Sequence, residues 1–208
     1  WSIKTLIRDI MQSRTYQLSS RTNNESKKID PENTFLWKQN QRRLEAEAIR
    51  DSILFVSGSL DKDKGGAAIK SGTKTEYGYS FNSKKRSIYY PVFRNTLPEI
   101  MQVFDFADPN MVTGKRTTSS VPTQALYMLN NPFVIEESKK SAERLIKEKL
   151  LNKSLEIEMA YRRVLSRNPT DKEKQILYNF LELENESIEA WANIFHSLFS
   201  SFEFRHTN

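Results

Sequence analysis

The chain has no cysteine and only two histidines, and these absences remove several kinds of chemistry. Without cysteine, its 208 residues can form no disulfide, no thiolate metal site, no cysteine nucleophile and no covalent link to a c-type haem. His196 and His206 stand without a third ligand in a recognisable pattern, so we do not expect a zinc site. The sequence therefore predicts no metal and no cofactor in this chain.

Glycine motifs and long apolar runs are also missing. The glycines between Asp61 and Asn82 match neither the dinucleotide fingerprint nor the phosphate loop. Ser57-Gly58 lacks the rest of the hydrolase nucleophile elbow. No apolar run approaches the ~20 residues that span a bilayer. The chain starts at Trp1 without a signal peptide, so we expect a fragment or a processed product.

Basic residues outnumber acidic residues, but the two kinds are interspersed. Lys and Arg total 32 against 26 Asp and Glu, which gives a net charge of +6. This interspersion is typical of a solvated surface and favours it over a dedicated polyanion site. A chain of 24.3 kDa can bury enough surface for one large core or two small ones.

The stretch 40–58 carries the strongest helical pattern. Its apolar residues recur at helical spacing and cover half of the helix surface. Arg42 and Glu45 fall inside this apolar arc, so we expect both to be largely buried and paired. A structural ion pair that ties loops to the helix is the favoured interpretation, and a catalytic group is the alternative.

Two features precede this helix. The pattern from Trp1 to Gln12 predicts a short amphipathic helix. Between Ser13 and Gln39 the periodicity lapses, and Asp30-Pro-Glu-Asn33 predicts a turn. We expect Phe35 and Trp37 to anchor this loop in the core, although either ring could instead form a ligand platform.

Residues 59–95 predict an irregular insertion. The segment from Asp61 to Asn82 has no hydrophobic period, and loops of this length are functional or disordered. Arg86–Arg94 is rich in β-branched and aromatic residues and is the best strand candidate. Pro91 would confine such a strand to a sheet edge.

A basic run at the end of this loop is a candidate polyanion patch. It consists of Lys84, Lys85 and Arg86, next to two tyrosines. An acidic or sulfated polysaccharide is the partner this patch would suit. Nucleic acid is not expected, because no recognised nucleic-acid motif is present.

The remaining segments predict further helices. Short helices are expected at Leu97–Phe104 and Pro122–Leu129, and a helical bundle from Asn131 to the end. Thr170-Asp-Lys-Glu173 is a capping-box pattern. Short connections in this part favour antiparallel neighbours.

The predicted fold class is therefore mainly α, a multi-helix domain with a long irregular and short-strand insertion and a C-terminal helical bundle. We predict one domain over residues 1–208. Its first part, residues 1–130, would be a loop-rich helical core around helix 40–58. Residues 131–208 would form the bundle subregion.

Polar residues from well-separated segments form a candidate buried cluster around the central helix. The spacing of Asp105 and Asp108 does not follow an EF-hand loop, so a calcium site is not favoured. Arg116 could hold an anion beside a following helix N-terminus, although ordinary helices begin in the same way. The proposed cluster comprises Arg42, Glu45, Arg50, Asp51, Arg94, Asn95, Asp105, Asp108, Arg116, Gln124 and Asn130.

Several short segments, spread almost from end to end, share one resemblance. They are Trp1–Lys4, Ser13–Tyr16, Asp30–Asn33, Arg42–Asp51, Ser57-Gly58, Arg94-Asn95, Phe104-Asp105, Asp108-Pro109, Val121–Leu126, Asn130–Phe133, Tyr161–Leu165 and Trp191–Phe204. In these segments the chain resembles, over nearly its full length, the planctomycete-type PSD1 domain, or domain of unknown function 1553. The resemblance implies a C-terminal module of large exported bacterial proteins, usually after a second family-specific domain and often a c-type cytochrome domain. It supplies no catalytic residues.

Two functions follow from the cluster and the resemblance. The favoured one is a non-catalytic accessory module of an exported, periplasmic or cell-surface protein, which binds or organises a partner domain of the same polypeptide. The alternative is part of a composite active site that acts on environmental polysaccharides, or in redox chemistry with an upstream domain that carries a c-type haem. A polar cluster sealed from solvent would favour the first function, and an open cleft with unpaired carboxylates would favour the second.

Overall fold

A computed structural model describes residues 2–69 and 71–207, so Trp1, Lys70 and Asn208 lie outside the described residues. In these ranges the chain forms nine α-helices, two 3-10 helices and no strand, which confirms the mainly α fold class. The chain divides into two compact units, Trp1–Arg43 with His206–Asn208 and Leu44–Arg205. The single-domain interpretation stays a prediction.

The first unit contains two short helices, α1 (Ile3–Gln12) and α2 (Asn24–Ile29). The predicted first helix is confirmed, and the Ser2 side chain accepts a hydrogen bond from an amide of its first turn. Helix α2 was not predicted. It begins at an Asn23 cap, and it is too short to give a hydrophobic period.

The predicted turn at Asp30–Asn33 is the buried polar centre of the first unit. The Asp30 carboxylate is buried and accepts hydrogen bonds from the amides of Thr34 and Phe35 at 2.9 and 2.8 Å. The Trp37 indole donates to the Asp30 carbonyl at 3.0 Å and is half-buried. Phe35 is exposed, so its prediction as a core anchor is wrong. The loop is held by hydrogen bonds to the turn and not by that ring.

The second unit holds the other helices: α3 (Ala46–Ser57), α4 (Glu99–Val103), α5 (Pro122–Asn130), α6 (Pro132–Lys147), α7 (Lys153–Leu165), α8 (Asp171–Leu183) and α9 (Ile188–Ser200). Helix α6 packs against both α9 and α3, and α9 also contacts α5, α7 and α8. The core side chains of α9, among them Trp191, Phe195 and Phe199, are buried. None of the described helices has the length and apolar character needed to cross a membrane.

Helix α3 begins six residues later than the sequence pattern suggested, at Ala46. The Leu44 amide donates to the Arg205 carbonyl at 2.7 Å, and Glu45 is still extended, with φ −70° and ψ 156°. Arg42 and Glu45 therefore lie before the helix, and both are exposed. Their predicted burial is wrong, because a helical phase applies only to residues within the helix. The charge that α3 does bury is Arg50.

The C-terminus of α3 ends in a left-handed glycine, Gly58, with φ 78°. The last carbonyls of a helix lack amide partners within that helix, and a guanidinium from α6 donates to two of those of α3. Arg144 Nη1 donates to the carbonyls of Phe55 and Val56 at 2.9 and 3.0 Å. A cation at this end also complements the helix dipole.

The predicted strand at Arg86–Arg94 is wrong. Ser87–Tyr89 is a single 3-10 turn, and residues 90–94 have no strand partner. The Ser87 amide donates to the Asp51 carboxylate at 2.9 Å instead of to a neighbouring strand, and Pro91 has no N–H to donate. Side chains of α3 therefore take the hydrogen bonds that a sheet would need.

The predicted capping box at the start of α8 is confirmed. The Thr170 hydroxyl accepts from the Glu173 amide, and the Glu173 carboxylate accepts from the Thr170 amide at 2.7 Å. Arg167 donates to both Glu173 and Glu203, with N···O distances between 2.6 and 2.9 Å. This fork joins the start of α8 to the second 3-10 helix, Glu203–Arg205.

Candidate functional site

Arg50 and Asp51, two members of the predicted cluster, anchor the loop before Tyr90 to helix α3. The Arg50 side chain is 4% exposed and donates to the carbonyls of Ser83 and Lys85 and to the Ser87 hydroxyl. The Asp51 carboxylate accepts from the amide and the hydroxyl of Ser87, at 2.9 and 2.7 Å. Asp51 also balances the Arg50 charge at 3.4 Å. A buried charge with this many partners is a structural anchor.

Two further groups of predicted residues hold other loops. Arg116 donates to Glu47 at 2.8 Å and to Glu45 at 3.3 Å, which ties its loop to the start of α3. Asp105 accepts from the amide and hydroxyl of Ser119, while the buried Gln124 amide donates to the Ser119 carbonyl at 3.3 Å. In each group the hydrogen bonds satisfy loop backbone or pair charges.

The remaining predicted residues lie on exposed segments. Asn95 donates to Glu76 at 3.0 Å, and this bond holds the pKa of the Glu76 carboxyl below its ordinary value. The Arg94 carbonyl accepts from Asn110, whose amide is held by Asp108. Asn130 and Arg42 complete the set: Asn130 donates to the Leu126 carbonyl of its own helix, and the Arg42 backbone bonds to Thr207 within the first unit.

The predicted polyanion patch is partly occupied by contacts within the protein. Lys84 lies 3.4 Å from the Glu137 carboxylate, and Lys85 donates to the Gly65 carbonyl at 2.9 Å. Arg86 is exposed. Among the described residues, only Arg86 of the three cations makes no contact of this kind.

A cavity of about 700 Å³ lies between the segment 79–90 and the helices α3 to α6. Arg50 and Lys84 from the groups above line it, together with apolar side chains of α3 and α4. A volume of this size is typical of small-molecule sites. The cavity was not predicted, because it depends on how the irregular segment folds over the helices.

One wall of the cavity is aromatic. Tyr79, Phe81 and Tyr90 line it and are half-buried, with neighbouring ring centroids 5.0 and 5.6 Å apart. The Tyr90 hydroxyl donates to the Phe81 carbonyl, and the Arg50 guanidinium lies 4.1 Å from the Tyr90 ring centre. The Arg50 anchor therefore also positions this wall.

A buried carboxylate, Glu137 of α6, lies at one side of the cavity and is 2% exposed. Burial acts to raise the pKa of Glu137, but hydrogen bonds from Ser57, Ser59 and Lys140, with the Lys84 charge, bring that pKa below its ordinary value. The carboxylate is therefore ionised at neutral pH and fully engaged by donors.

Tyr127 of α5 lines the same cavity and is 8% exposed. Burial raises the pKa of its hydroxyl, and the nearby Glu99 charge raises it further. The hydroxyl is therefore protonated at neutral pH. In the described part of the chain it makes no hydrogen bond.

The sequence reasoning missed both Glu137 and Tyr127. Glu137 lies three residues after Val134 and four before Ser141, both of which are buried, so helical spacing placed it on the buried face of α6. The helical spacing of the sequence could therefore have identified Glu137 as buried. For Tyr127, helical spacing indicates a buried aromatic ring, but it does not reveal the cavity next to that residue.

Among the described residues, no group of three or more His, Cys, Asp or Glu side chains is placed so that it could hold a metal ion. Charged groups at the cavity contact other protein groups, and the lining groups without a hydrogen bond among the described residues include the hydroxyls of Tyr79, Thr96 and Tyr127. This arrangement is suited to binding by hydrogen bonds and stacking.

Comparison with known proteins gives one match. A family model, PSD1, described as a protein of unknown function (DUF1553), matches residues 1–181. No curated protein and no solved structure matches the chain.

Proposed function

The chain belongs to the PSD1 family of unknown function, and we propose that it is a non-catalytic accessory module of an exported multidomain protein. In this proposal its first unit docks onto another domain of the same polypeptide. The exported setting and the partner domain follow the family resemblance. The docking follows from the first unit itself.

One observation carries the proposal: no apolar side chain of residues 2–43 is buried. The buried side chains of this segment are polar, Asp30 and Asn33. A folded segment of this size normally needs a hydrophobic core or a covalent staple to be stable. A partner that covers its apolar side chains would supply the missing core.

Helix α1 shows what such a partner would contact. Its apolar side chains lie along one face and are 49–77% exposed: Ile3, Leu6, Ile7, Ile10 and Met11. Contiguous exposed apolar surface of this kind marks interaction sites. An amphipathic helix in an apolar groove is a common way in which proteins bind each other.

The positive charge of the first unit suggests which residues surround the groove of the partner. Residues 1–43 hold nine Lys and Arg against four Asp and Glu, so this unit carries five of the six net positive charges. A groove with acidic residues around an apolar floor would complement it.

The polar groups of the second unit support a non-catalytic role. Arg50, Asp51 and Glu137 are committed to hydrogen bonds that hold loops or helices in place. A catalytic carboxylate needs access to a substrate and a free position for a proton. The composite-active-site alternative therefore gains no support from these groups.

The test is a calorimetric titration of the preceding domain of the polypeptide with this chain. We expect Ile7→Ser with Ile10→Ser to weaken binding by tenfold or more, because each buried isoleucine contributes about 1.5–3 kcal/mol. The matched control is Ile176→Ser with Leu183→Ser, which also replaces two exposed apolar side chains, here on α8 of the second unit.

Binding that is absent in the wild type, or that the control weakens as much as the α1 variant, would refute the docking. Vesicles of anionic lipid form a second arm. Binding to vesicles alone would mean that α1 is a membrane-surface helix.

A further inference from the structure

Four of the five charged side chains that line the cavity of the second unit are paired with another charge, and the fifth, Glu99, accepts a hydrogen bond from the Asn131 amide. Arg50 is held by Asp51, and Lys84 lies beside Glu137. Glu136 and Glu137 both accept from Lys140. At Arg50, Lys84, Glu136 and Glu137 a charged ligand would therefore compete with existing ion pairs.

Several uncharged polar groups at the cavity have no hydrogen-bond partner among the described residues. The hydroxyls of Tyr79, Thr96 and Tyr127 and the side-chain amide of Asn82 line it, and none of them makes a hydrogen bond within the described residues. Tyr127 matters most, because the residue lines the cavity and only 8% of it is exposed. A ligand that bonds to its hydroxyl would supply a partner that no described residue supplies.

The aromatic wall supplies the complementary apolar surface. Tyr79, Phe81 and Tyr90 are half-buried, and the Arg50 anchor holds their loop in place before any ligand arrives. Preorganisation of this kind reduces the entropy cost of binding.

From these groups we infer that the cavity is a binding site for a neutral saccharide. A sugar ring has apolar C–H faces that can lie against aromatic rings and hydroxyls around its edge that donate and accept hydrogen bonds. A neutral sugar carries no charge, in agreement with the ion pairs that already engage Arg50, Lys84, Glu136 and Glu137. The site goes beyond the docking of the first unit and does not depend on it.

The test uses a panel of neutral oligosaccharides, built from glucose, galactose or xylose units, against the whole chain. A heparin oligosaccharide supplies the anionic comparison and a glucosamine oligomer the cationic one. Binding is followed by NMR, through saturation transfer to the ligand and through amide shifts of residues 79–90. At least one neutral oligosaccharide is expected to bind and to shift these amides.

Tyr127→Phe is the decisive variant, because it removes only the hydroxyl. No described residue bonds to that hydroxyl, so the thermal midpoint should not fall. Affinity for the neutral oligosaccharide should drop about three- to tenfold. Tyr77→Phe is the matched control: Tyr77 is exposed and does not line the cavity, so both quantities should stay unchanged.

The absence of binding by every neutral oligosaccharide would overturn the inference. Equal affinity in the wild type and in Tyr127→Phe would overturn it too. Preferential binding of the heparin or the glucosamine oligomer would show that the cavity takes a charged ligand instead.

Discussion

At the residue scale, Arg50 holds the irregular segment 83–90 in position against α3. Its side chain is buried, and its guanidinium bonds to two loop carbonyls and to the Ser87 hydroxyl. Asp51 compensates its charge and also accepts the Ser87 amide. Removal of one partner from a buried ion pair leaves the other charge uncompensated, which is far more costly than loss of an exposed pair.

We therefore expect Asp51→Ala to lower the free energy of unfolding by about 3 kcal/mol. Glu45→Ala is the control, since Glu45 also pairs with an arginine but is 68% exposed, and it should cost less than about 1 kcal/mol. Urea unfolding measures both. Equal costs for the two variants would contradict the assignment of Arg50 and Asp51 as the buried anchor.

The same residues show what could be predicted. The sequence placed Arg50 and Asp51 in the candidate cluster, but it selected Arg42 and Glu45 as the buried charges. The error came from the helix boundary, which the Leu44 to Arg205 hydrogen bond sets. A contact between residues so distant in the chain leaves no local signal in the sequence.

At the element scale, helix ends are the features that the local sequence specifies best. The Ser2 cap, the capping box at Thr170 and the Ser187 cap all use side chains within three residues of the amides they bind. The strand prediction at Arg86–Arg94 was wrong because strand propensity does not specify a partner, and here α3 takes the loop's hydrogen bonds.

The glycine at the end of α3, Gly58, allows a prediction about how much this helix end contributes to stability. Its φ of 78° favours glycine, and an added Cβ would lie 3.3 Å from Cδ of the Arg144 that caps the helix. Gly58→Ala should cost about 1–2 kcal/mol of unfolding free energy. Gly114→Ala should change it by less than about 0.5 kcal/mol, because an added Cβ there meets nothing within 4 Å. A Gly58→Ala variant as stable as Gly114→Ala would contradict the cap.

The fork at the start of α8 predicts a pH dependence. Hydrogen bonds from Arg167 lower the pKa of Glu173 from 4.5 to about 2. Because the folded pKa is the lower one, the stabilisation is fully present above pH 4.5 and is lost as the pH falls towards 2.

Urea midpoints of the wild type and Arg167→Met, measured from pH 7 to pH 2, test this dependence. The wild type should be the more stable protein at pH 7, and the gap should narrow between pH 4.5 and 2. A gap that stays constant over this range would show that the Arg167 fork does not depend on carboxylate charge.

At the scale of the whole molecule, the two units differ in what they bury. The second unit has a continuous apolar core around α6 and α9, whereas residues 2–43 bury no apolar side chain. Composition allowed one large core or two small ones, and periodicity correctly predicted the amphipathic α1. A period identifies an apolar face, but it does not show what covers that face, so the exposure of α1 could be learned only from the structure.

Hydrogen exchange of the α1 amides follows the docking of the first unit at the helix that would make the contact. The chain is compared alone and with a saturating amount of the domain that we propose to precede it in the same polypeptide. If the first unit docks, exchange of the Ile3–Gln12 amides should slow by about tenfold or more on addition of that domain, while exchange in α9 stays unchanged. Equal α1 exchange in the two samples would contradict the docking.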